Sequence, residues 1–481
     1  MAFTSLSFIV LILGTVLLAA AVPRPSGRSL VLFGANLVFI ASYVGRALEI
    51  VPLAVFLLLS FFVIEGVRRT RSSSAQWVGL AAIIGAFVVL KRYAFLGAFS
   101  PLPFPYLVIG LSYLLFRVVQ LVVDAKQGEL AEAVPILDFF NYTCNFLCFV
   151  AGPIQRYEDY KAQAERPLEL DEGKVFRAFA RVIKGFFKVG VVSAIFNNLF
   201  GTVSMRVLGH ASAGAPSVFV FAVTYLAAVV FYTVYLYTNF AGYMDIVIGV
   251  GALVGQDLPE NFNQPFLARS FLDFWSRWHM TLSAWFKTYV FNPLLTALTS
   301  RFPSPRATAT LGVISFFVTF LIMGLWHGST RVFVVYGLIL GAGASLNKLW
   351  QVMMAKRLGK QRYKALGERT LAIYLSRGLT FAYFALALTC LWVDMPQLRS
   401  LSGHLGALGL VGGYFGLALA GAASFLIWDW VASRVAVLGT AADWAQGGVV
   451  ARNLGLALQV LVIVSVASFF HKAPEFVYRA F

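Results

Sequence analysis

The chain has 481 residues, of which 59% are hydrophobic and 12% are charged. Soluble globular proteins carry about 25% charged residues, so this composition excludes a large soluble enzyme and indicates a protein embedded in a membrane. The net charge of +17 would also suit a nucleic-acid-binding protein. However, the basic residues lie in short loops between apolar runs, as at Arg68, Arg69 and Arg71. This distribution is typical of membrane proteins with basic cytoplasmic loops, and we expect no nucleic-acid partner.

Apolar runs follow one another along the whole chain. Several reach about 17 residues, the length that a helix needs to cross roughly 30 Å of hydrocarbon. We therefore predict an all-α polytopic membrane protein with about 11–13 membrane-embedded helices. The runs are Leu6–Val22, Leu30–Val44, Val51–Val67, Trp77–Leu90, Phe104–Val123, Val218–Tyr235, Leu311–Trp326, Arg331–Leu346, Leu371–Val393, Leu408–Val431 and Leu454–Phe470.

The first run is expected to be a retained helix, because no basic residue precedes it and Pro-Arg-Pro follows it in place of a cleavage site. Alternating the early runs with the basic loops places the N-terminus outside. The alternation fails at Ile136–Pro153, which is polar in its middle. Arg156–Lys188 then carries basic residues at helical spacing among apolar ones, which predicts an amphipathic helix at the interface. We infer re-entrant segments, which lipid tolerates only where protein or water shields the backbone.

A second irregular stretch, Pro259–Pro293, mixes charged residues with six Phe and three Trp. Ser270 can cap a helix, with Asp273 three residues later completing a start that resembles a capping box. The apolar positions then predict one helical face from Phe271 to Phe286. On such a helix His279 would neighbour Trp275 and Leu282 and point partly inward.

Two of the five histidines stand out. His327 ends an apolar run in a Trp-His-Gly step, and His279 lies in the charged aromatic stretch. Ionisable residues at membrane depth are costly and tend to face a cavity or a pathway, although a hydrogen-bonded helix-end histidine is the alternative. Three other histidines are interpreted as structural, because His404 and His471 lie near the ends of late runs and His210 lies in a Gly/Ala/Ser loop.

Acidic residues and cysteines give few further candidates for a functional site. Asp245 lies in a long apolar region and needs a partner, for which Arg269, Arg277 or a histidine is available; ion pairing and a functional role both remain open. The three cysteines are interpreted as buried apolar residues. No ligand set for a metal is recognisable.

A neutral imidazole is the usual general base near pH 7. Neither His279 nor His327 adjoins a G-x-S-x-G nucleophile motif. Direct attack by a substrate hydroxyl, with a histidine taking its proton, is therefore simpler than covalent catalysis. A second histidine or an arginine would stabilise the oxyanion or orient the donor carbonyl.

Five motifs resemble the membrane-bound O-acyltransferase superfamily, in its bacterial branch: GLSYLLFRVVQLVVDAKQGEL (110–130), AGPIQRYEDY (151–160), FAGYMDIVIGVG (240–251), PENFNQPFLARSFLDFWSRWHMTLSAWFKTYVFNPL (259–294) and MGLWHGSTRVFVVYG (323–337). That branch acetylates alginate or transfers D-alanine to teichoic acid. The resemblance implies a ring of tilted helices around a central tunnel. This chain departs from the family pattern at Leu340, where many relatives carry a further histidine.

The resemblance implies that His327 is the catalytic histidine and that His279 lines the same tunnel. Our hypothesis is that His327 is the general base for the acceptor hydroxyl and that His279, together with Arg277, positions the thioester carbonyl. Further residues of the matching motifs are expected to bind substrate or line the tunnel: Arg277, Trp278, Asn261, Asn263, Trp326, Tyr243 and Asp245. Residues 101–350 would form the catalytic core of one integral membrane domain. N-terminal transmembrane helices (1–100) and C-terminal transmembrane helices (351–481) would flank this core.

The predicted function is O-acyl transfer, of an acetyl or D-alanyl group, to a hydroxyl of an extracytoplasmic polysaccharide or teichoic acid. The donor would be a cytoplasmic acyl-carrier-protein thioester or acyl-CoA, which is a co-substrate, and neither a bound cofactor nor a metal is expected. Membrane lipid is a partner, a periplasmic acyltransferase is a further candidate, and the cytoplasmic (inner) membrane is the expected location. The alternatives are an acyl-group or lipid transporter (flippase) that cleaves no thioester, and a non-catalytic scaffold.

Overall fold

A computed structural model describes residues 5–97, 108–213, 217–437 and 449–469, together with residues 102, 104 and 106. The regular elements of these residues are all helical, and the only β-type pairing is one isolated bridge. The α-helices are α1 (Leu6–Ala21), α2 (Pro25–Ala41), α3 (Val51–Thr70), α4 (Ser73–Lys91), α5 (Leu111–Gln127), α6 (Ile136–Thr143), α7 (Tyr157–Ala164), α8 (Glu172–Phe187), α9 (Ala194–Ala213), α10 (Val218–Leu253), α11 (Phe271–Trp275), α12 (Met280–Phe286), α13 (Asn292–Arg301), α14 (Pro305–His327), α15 (Val332–Leu358), α16 (Lys360–Gly367), α17 (Thr370–Ala387), α18 (Met395–Val437, broken at Gly406) and α19 (Val449–Phe469).

Seven helical segments of the described chain are long and apolar enough to cross a membrane, which confirms the prediction of an all-α polytopic membrane protein. Three shorter apolar helices accompany them, at Leu6–Ala21, Pro25–Ala41 and Asn453–Val466. The count of about 11–13 embedded helices stays a prediction. The seven segments are Ala47–Thr70, Ser73–Lys91, Val218–Leu253, Ala307–His327, Val332–Leu358, Thr370–Leu391 and Met395–Arg434.

The apolar runs of the sequence lie on these helices, but some bounds differ. The run predicted from Phe104 forms a helix only from Leu111, after Gly110 with φ 81°, where an added Cβ would lie 2.5 Å from the Phe149 ring. α10 is twice as long as the run that predicted it, with 36 residues. His210 lies in α9 rather than in a loop. His471 lies outside the described residues.

The chain divides into two compact units, of which the first holds, among the described residues, those up to residue 186 and residues 240–260. Here the irregular segment predicted after Ile136 is present. α6 ends at Thr143, and the buried chain continues without a helix as far as Arg156. The buried Arg117 donates hydrogen bonds of 2.9–3.0 Å to the carbonyls of Tyr142, Thr143 and Cys148. Its guanidinium thereby replaces the water that these backbone groups would otherwise need.

The predicted amphipathic helix is also present in the first unit, as α8. It lies against the later part of α10 at two glycines. A Cβ on Gly185 would lie 2.7 Å from the Gly242 carbonyl oxygen, and a Cβ on Gly249 would lie 2.9 Å from that of Ala178. Small residues at such crossings let two helical backbones approach closely.

Among the described residues, the second unit holds those of 187–239 and those from residue 261 onward. In it, α14 and α15 form an antiparallel hairpin, and small residues line their contact. A Cβ on Gly324 would overlap Gly337, and a Cβ on Gly341 would lie 2.8 Å from the Phe317 carbonyl oxygen. The backbones of α14 and α15 are therefore in direct contact along this hairpin, and His327 ends its first helix.

The continuous helix predicted from Phe271 to Phe286 is wrong. α11 begins after Ser270, whose hydroxyl accepts the Asp273 N–H at 3.1 Å as predicted, but it ends at Trp275. The chain turns through Ser276–His279 and only then begins α12. The helical neighbours assigned to His279 above therefore do not apply.

Candidate active site

His327 is the last residue of α14 and is 4% exposed. The helix ends there because Gly328 is extended, and a Cβ at Gly328 would overlap the Phe333 ring. Only glycine fits this close approach. The bend brings the start of α15 back against the imidazole.

The ring of His327 has a defined setting. Its Nδ1 lies 2.6 Å from the Met323 carbonyl oxygen, one turn earlier in α14. A carbonyl only accepts, so Nδ1 carries the hydrogen and Nε2 carries the lone pair. Trp326 and Tyr336 contact the imidazole edge to face, with centroid distances of 4.9 and 5.4 Å. His327 is thus oriented as a proton acceptor at Nε2.

His279 lies at the break between α11 and α12, with φ 45° and ψ 53°. This left-handed backbone is rare for residues with a side chain, and such strain is concentrated at functional sites. A short antiparallel pairing holds it in place. The Asn263 N–H donates to the Arg277 carbonyl at 2.9 Å, and the Met280 N–H donates to the Asn261 carbonyl at 3.0 Å. His279 is 1% exposed.

The two imidazoles are close enough to interact electrostatically. Burial lowers the pKa of His279 well below its ordinary value, and charge on His327 lowers it further. His279 is therefore neutral near pH 7. Like charges on close groups disfavour each other, so a proton on one ring opposes a proton on the other.

The remaining predicted residues of the second unit have varied settings. Asn261 is buried and lies 3.3 Å from Nδ1 of His279. Trp326 contacts His327 as described, and Trp278 stacks on Phe274 among aromatic rings. Asn263 is exposed and contributes its backbone N–H. The Arg277 Nε donates to Asp273 at 2.8 Å, so this part of the guanidinium is directed back to α11.

Tyr243 and Asp245 lie in the first unit. The buried Tyr243 donates its hydroxyl to the Leu147 carbonyl at 2.7 Å, on the irregular segment. Asp245 pairs with Arg181 at 3.1 Å, a partner that the sequence analysis did not name, and the expected pairing with Arg269, Arg277 or a histidine stays a prediction. The close crossing of α8 and α10 places Arg181 beside Asp245.

Three residues that contact the site were not among the candidates from the sequence. They are Met323 and Tyr336, which contact His327, and Thr281, which donates its N–H and its hydroxyl to the Asn261 side chain. Thr281 lies two residues after His279, and Met323 lies one turn before His327. Spacing alone is a weak signal for the contacts of Thr281 and Met323. No local signal identifies Tyr336, since it reaches His327 only through the bend at Gly328. Among the described residues, no group of three His, Cys, Asp or Glu side chains is placed to hold a metal.

Comparison with known proteins matches residues 38–387 to a family model described as MBOAT, membrane-bound O-acyltransferase family. The chain is 28% identical to a teichoic acid D-alanyltransferase of Bacillus subtilis over 300 residues, which are 60% of this chain and 73% of the relative. It is 30% identical to that of Streptococcus thermophilus over 53% of this chain and 60% of the relative. It is 28% identical to a probable alginate O-acetylase of Pseudomonas fluorescens over 59% of this chain and 53% of the relative. The match thus spans little more than half the length of two of these relatives.

Proposed function

Because the chain belongs to the membrane-bound O-acyltransferase family, we propose that it moves an acyl group from a thioester donor to a hydroxyl of a cell-envelope polymer. One observation carries the proposal beyond family membership. The buried His327 donates Nδ1–H to its own helix and so presents a lone pair at Nε2, as a general base requires.

The proposed reaction is one transfer without a covalent enzyme intermediate. Nε2 of His327 takes the proton from the acceptor hydroxyl while that oxygen attacks the thioester carbonyl carbon. The tetrahedral intermediate collapses, the C–S bond breaks, and the imidazolium returns the proton to the departing thiolate. The products are an ester and a free thiol, and His327 is regenerated.

The substrates are inferred from the relatives, which are named for teichoic acid and for alginate. We propose an extracytoplasmic polysaccharide or teichoic acid as acceptor, and acyl-carrier-protein thioester or acyl-CoA as a donor on the cytoplasmic side. Acetyl and D-alanyl groups are both candidates, since relatives of both kinds match with similar identity. The proposed location is the cytoplasmic membrane. A periplasmic acyltransferase is a candidate partner, which would receive the group and pass it to the polymer in place of direct transfer.

Replacement of His327 tests the assignment. Protein in vesicles is given labelled acetyl or D-alanyl thioester and acceptor, and thiol release and acylated acceptor are both measured. We expect His327→Ala to lower both by roughly 10²–10⁴-fold, the usual contribution of general base catalysis. Undiminished acylation would contradict the assignment.

His404→Ala is the matched control. His404 makes the same local bond, from Nδ1 to the Ser400 carbonyl at 2.8 Å, and contacts the Phe221 ring with a centroid distance of 5.5 Å. Its loss should leave activity near that of the wild type. Movement of intact donor across the vesicle membrane without thiol release would instead support the transporter alternative.

A further inference from the structure

The amide oxygen of Asn261 contacts three groups, two on Thr281 and one on His279. It accepts the backbone N–H of Thr281 at 3.0 Å and the Thr281 hydroxyl at 2.8 Å, and it lies 3.3 Å from Nδ1 of His279. Asn261 is 0% exposed. Its amide oxygen is already engaged by Thr281 and faces His279, so we assign it a role through these neighbours.

The contact with Thr281 determines which way the amide points. A backbone N–H can only donate, so the atom facing it is the carbonyl oxygen of Asn261 and not the NH₂ group. Nδ1 of His279 faces the same oxygen. A lone pair on Nδ1 would repel it, whereas an Nδ1–H would donate to it.

The backbone carbonyl of Asn261 bonds to the same stretch of chain, between His279 and Thr281. Its carbonyl accepts the Met280 N–H at 3.0 Å, next to the left-handed His279. One residue therefore bonds to the backbone on the C-terminal side of His279 and contacts the imidazole itself. Metal-ligating histidines are held in the same way, by an acceptor on the ring nitrogen that faces away from the reactive one.

We propose that Asn261 is a positioning residue that holds His279 in the Nδ1–H tautomer. His279 then presents a lone pair at Nε2 and accepts a hydrogen bond from a substrate N–H or O–H. This inference rests on the proposed function for its catalytic meaning, and it revises the expected role of His279. A neutral ring in this tautomer has no hydrogen at Nε2 with which to stabilise an oxyanion. His327 also presents a lone pair, so both imidazoles offer an acceptor at Nε2.

The tautomer is directly observable. Protein labelled with ¹⁵N-histidine is reconstituted in lipid, and the Nδ1 and Nε2 signals of His279 are assigned by their loss in His279→Gln. We expect a protonated Nδ1 in the wild type and in Asn261→Asp, which keeps an acceptor oxygen. In Asn261→Leu we expect this preference to be lost.

Thr281→Val is the matched control, because it removes a second donor to the same oxygen and leaves the Asn261 contact with His279. Its tautomer should match that of the wild type. An Nε2–H ring in the wild-type protein, or a tautomer unchanged in Asn261→Leu, would overturn the proposal. If Asn261→Leu fails to fold, the tautomers of the wild type and Asn261→Asp still decide, since the proposal requires Nδ1–H in both.

A second measurement separates positioning from simple structural support. The carboxylate of Asn261→Asp favours the imidazolium, so the acid limb of the pH–rate profile should move to higher pH by about 1 unit. A purely structural role predicts lower activity with an unmoved limb. The tautomer measurement needs no acyl transfer, so it stands even if the proposed function fails.

Discussion

Arg181 shows how a single side chain joins separate parts of the first unit. Its Nη atoms donate to both carboxylate oxygens of Glu260 at 2.6 Å, and its Nε donates to Asp245 at 3.1 Å. The side chain of Asp245 is only 11% exposed. A carboxylate so placed is costly unless a cation lies beside it.

We expect Arg181→Met to destabilise the protein by about 1–2 kcal/mol, less than for a fully buried pair because Arg181 and Glu260 reach solvent. Thermal unfolding of the detergent-solubilised protein measures the change. Lys184→Met, an exposed cation on the same helix, is the control and should have little effect.

A double-variant cycle tests whether the interaction with Asp245 is the cause. Adding Asp245→Asn to Arg181→Met should cost less than the sum of the two single changes, since each single change already removes the interaction between Arg181 and Asp245. If the decrease in unfolding temperature of the double variant equals the sum of the decreases of the two single variants, Arg181 stabilises the protein through contacts other than Asp245.

At the scale of elements, the hairpin of α14 and α15 depends on glycines at its contact. A Cβ on Gly324 would overlap Gly337, whereas a Cβ on Gly312, also in α14, would meet nothing within 4 Å. The two positions lie on one helix and differ in what surrounds them. They therefore allow packing to be separated from helix propensity.

We expect Gly324→Ala to separate the two helices and to cost about 1–3 kcal/mol, as overpacking does in well-packed interiors. Acyl transfer should also fall, because Tyr336 contacts His327 from α15. Gly312→Ala should be neutral or stabilising, since alanine favours helix. Comparison of the two unfolding temperatures checks this, and equal destabilisation by both would argue against tight packing as the cause.

For the whole molecule, the basic loops predict which side of the membrane each segment faces. The α3–α4 connection follows Arg68 and Arg69, and α16 lies in the basic stretch between α15 and α17. Both are expected on the cytoplasmic side, and the α2–α3 connection on the outer side. Cysteine labelling with an impermeant maleimide on right-side-out vesicles tests this.

Leu48→Cys should be labelled in intact vesicles, and Ser74→Cys and Lys364→Cys only after permeabilisation. The wild type provides the baseline, because its cysteines are buried and burial raises the pKa of the Cys144 thiol to about 12. Labelling of Lys364→Cys in intact vesicles would refute the predicted orientation.

Much of the site was predictable because its signals are local. Long apolar runs require helices in lipid, whatever they pack against, so the membrane class and most helix positions follow from composition. The Ser270 cap also depends only on residues three apart. His327 was recognisable as a polar residue at the end of such a run.

Other features required the tertiary structure, because the groups that decide them are distant in the sequence. The sequence by itself determined an all-α membrane protein with two unusual histidines. It did not determine the break at His279, because a continuous apolar face favours one helix. Asn261, from a separate segment, instead bonds to the backbone after His279. Nor did it determine the partner of Asp245, since Arg181 reaches it only where glycines let α8 and α10 cross closely. Hydrogen bonds and ion pairs depend on distances that only packing sets, whereas burial in lipid depends on composition alone.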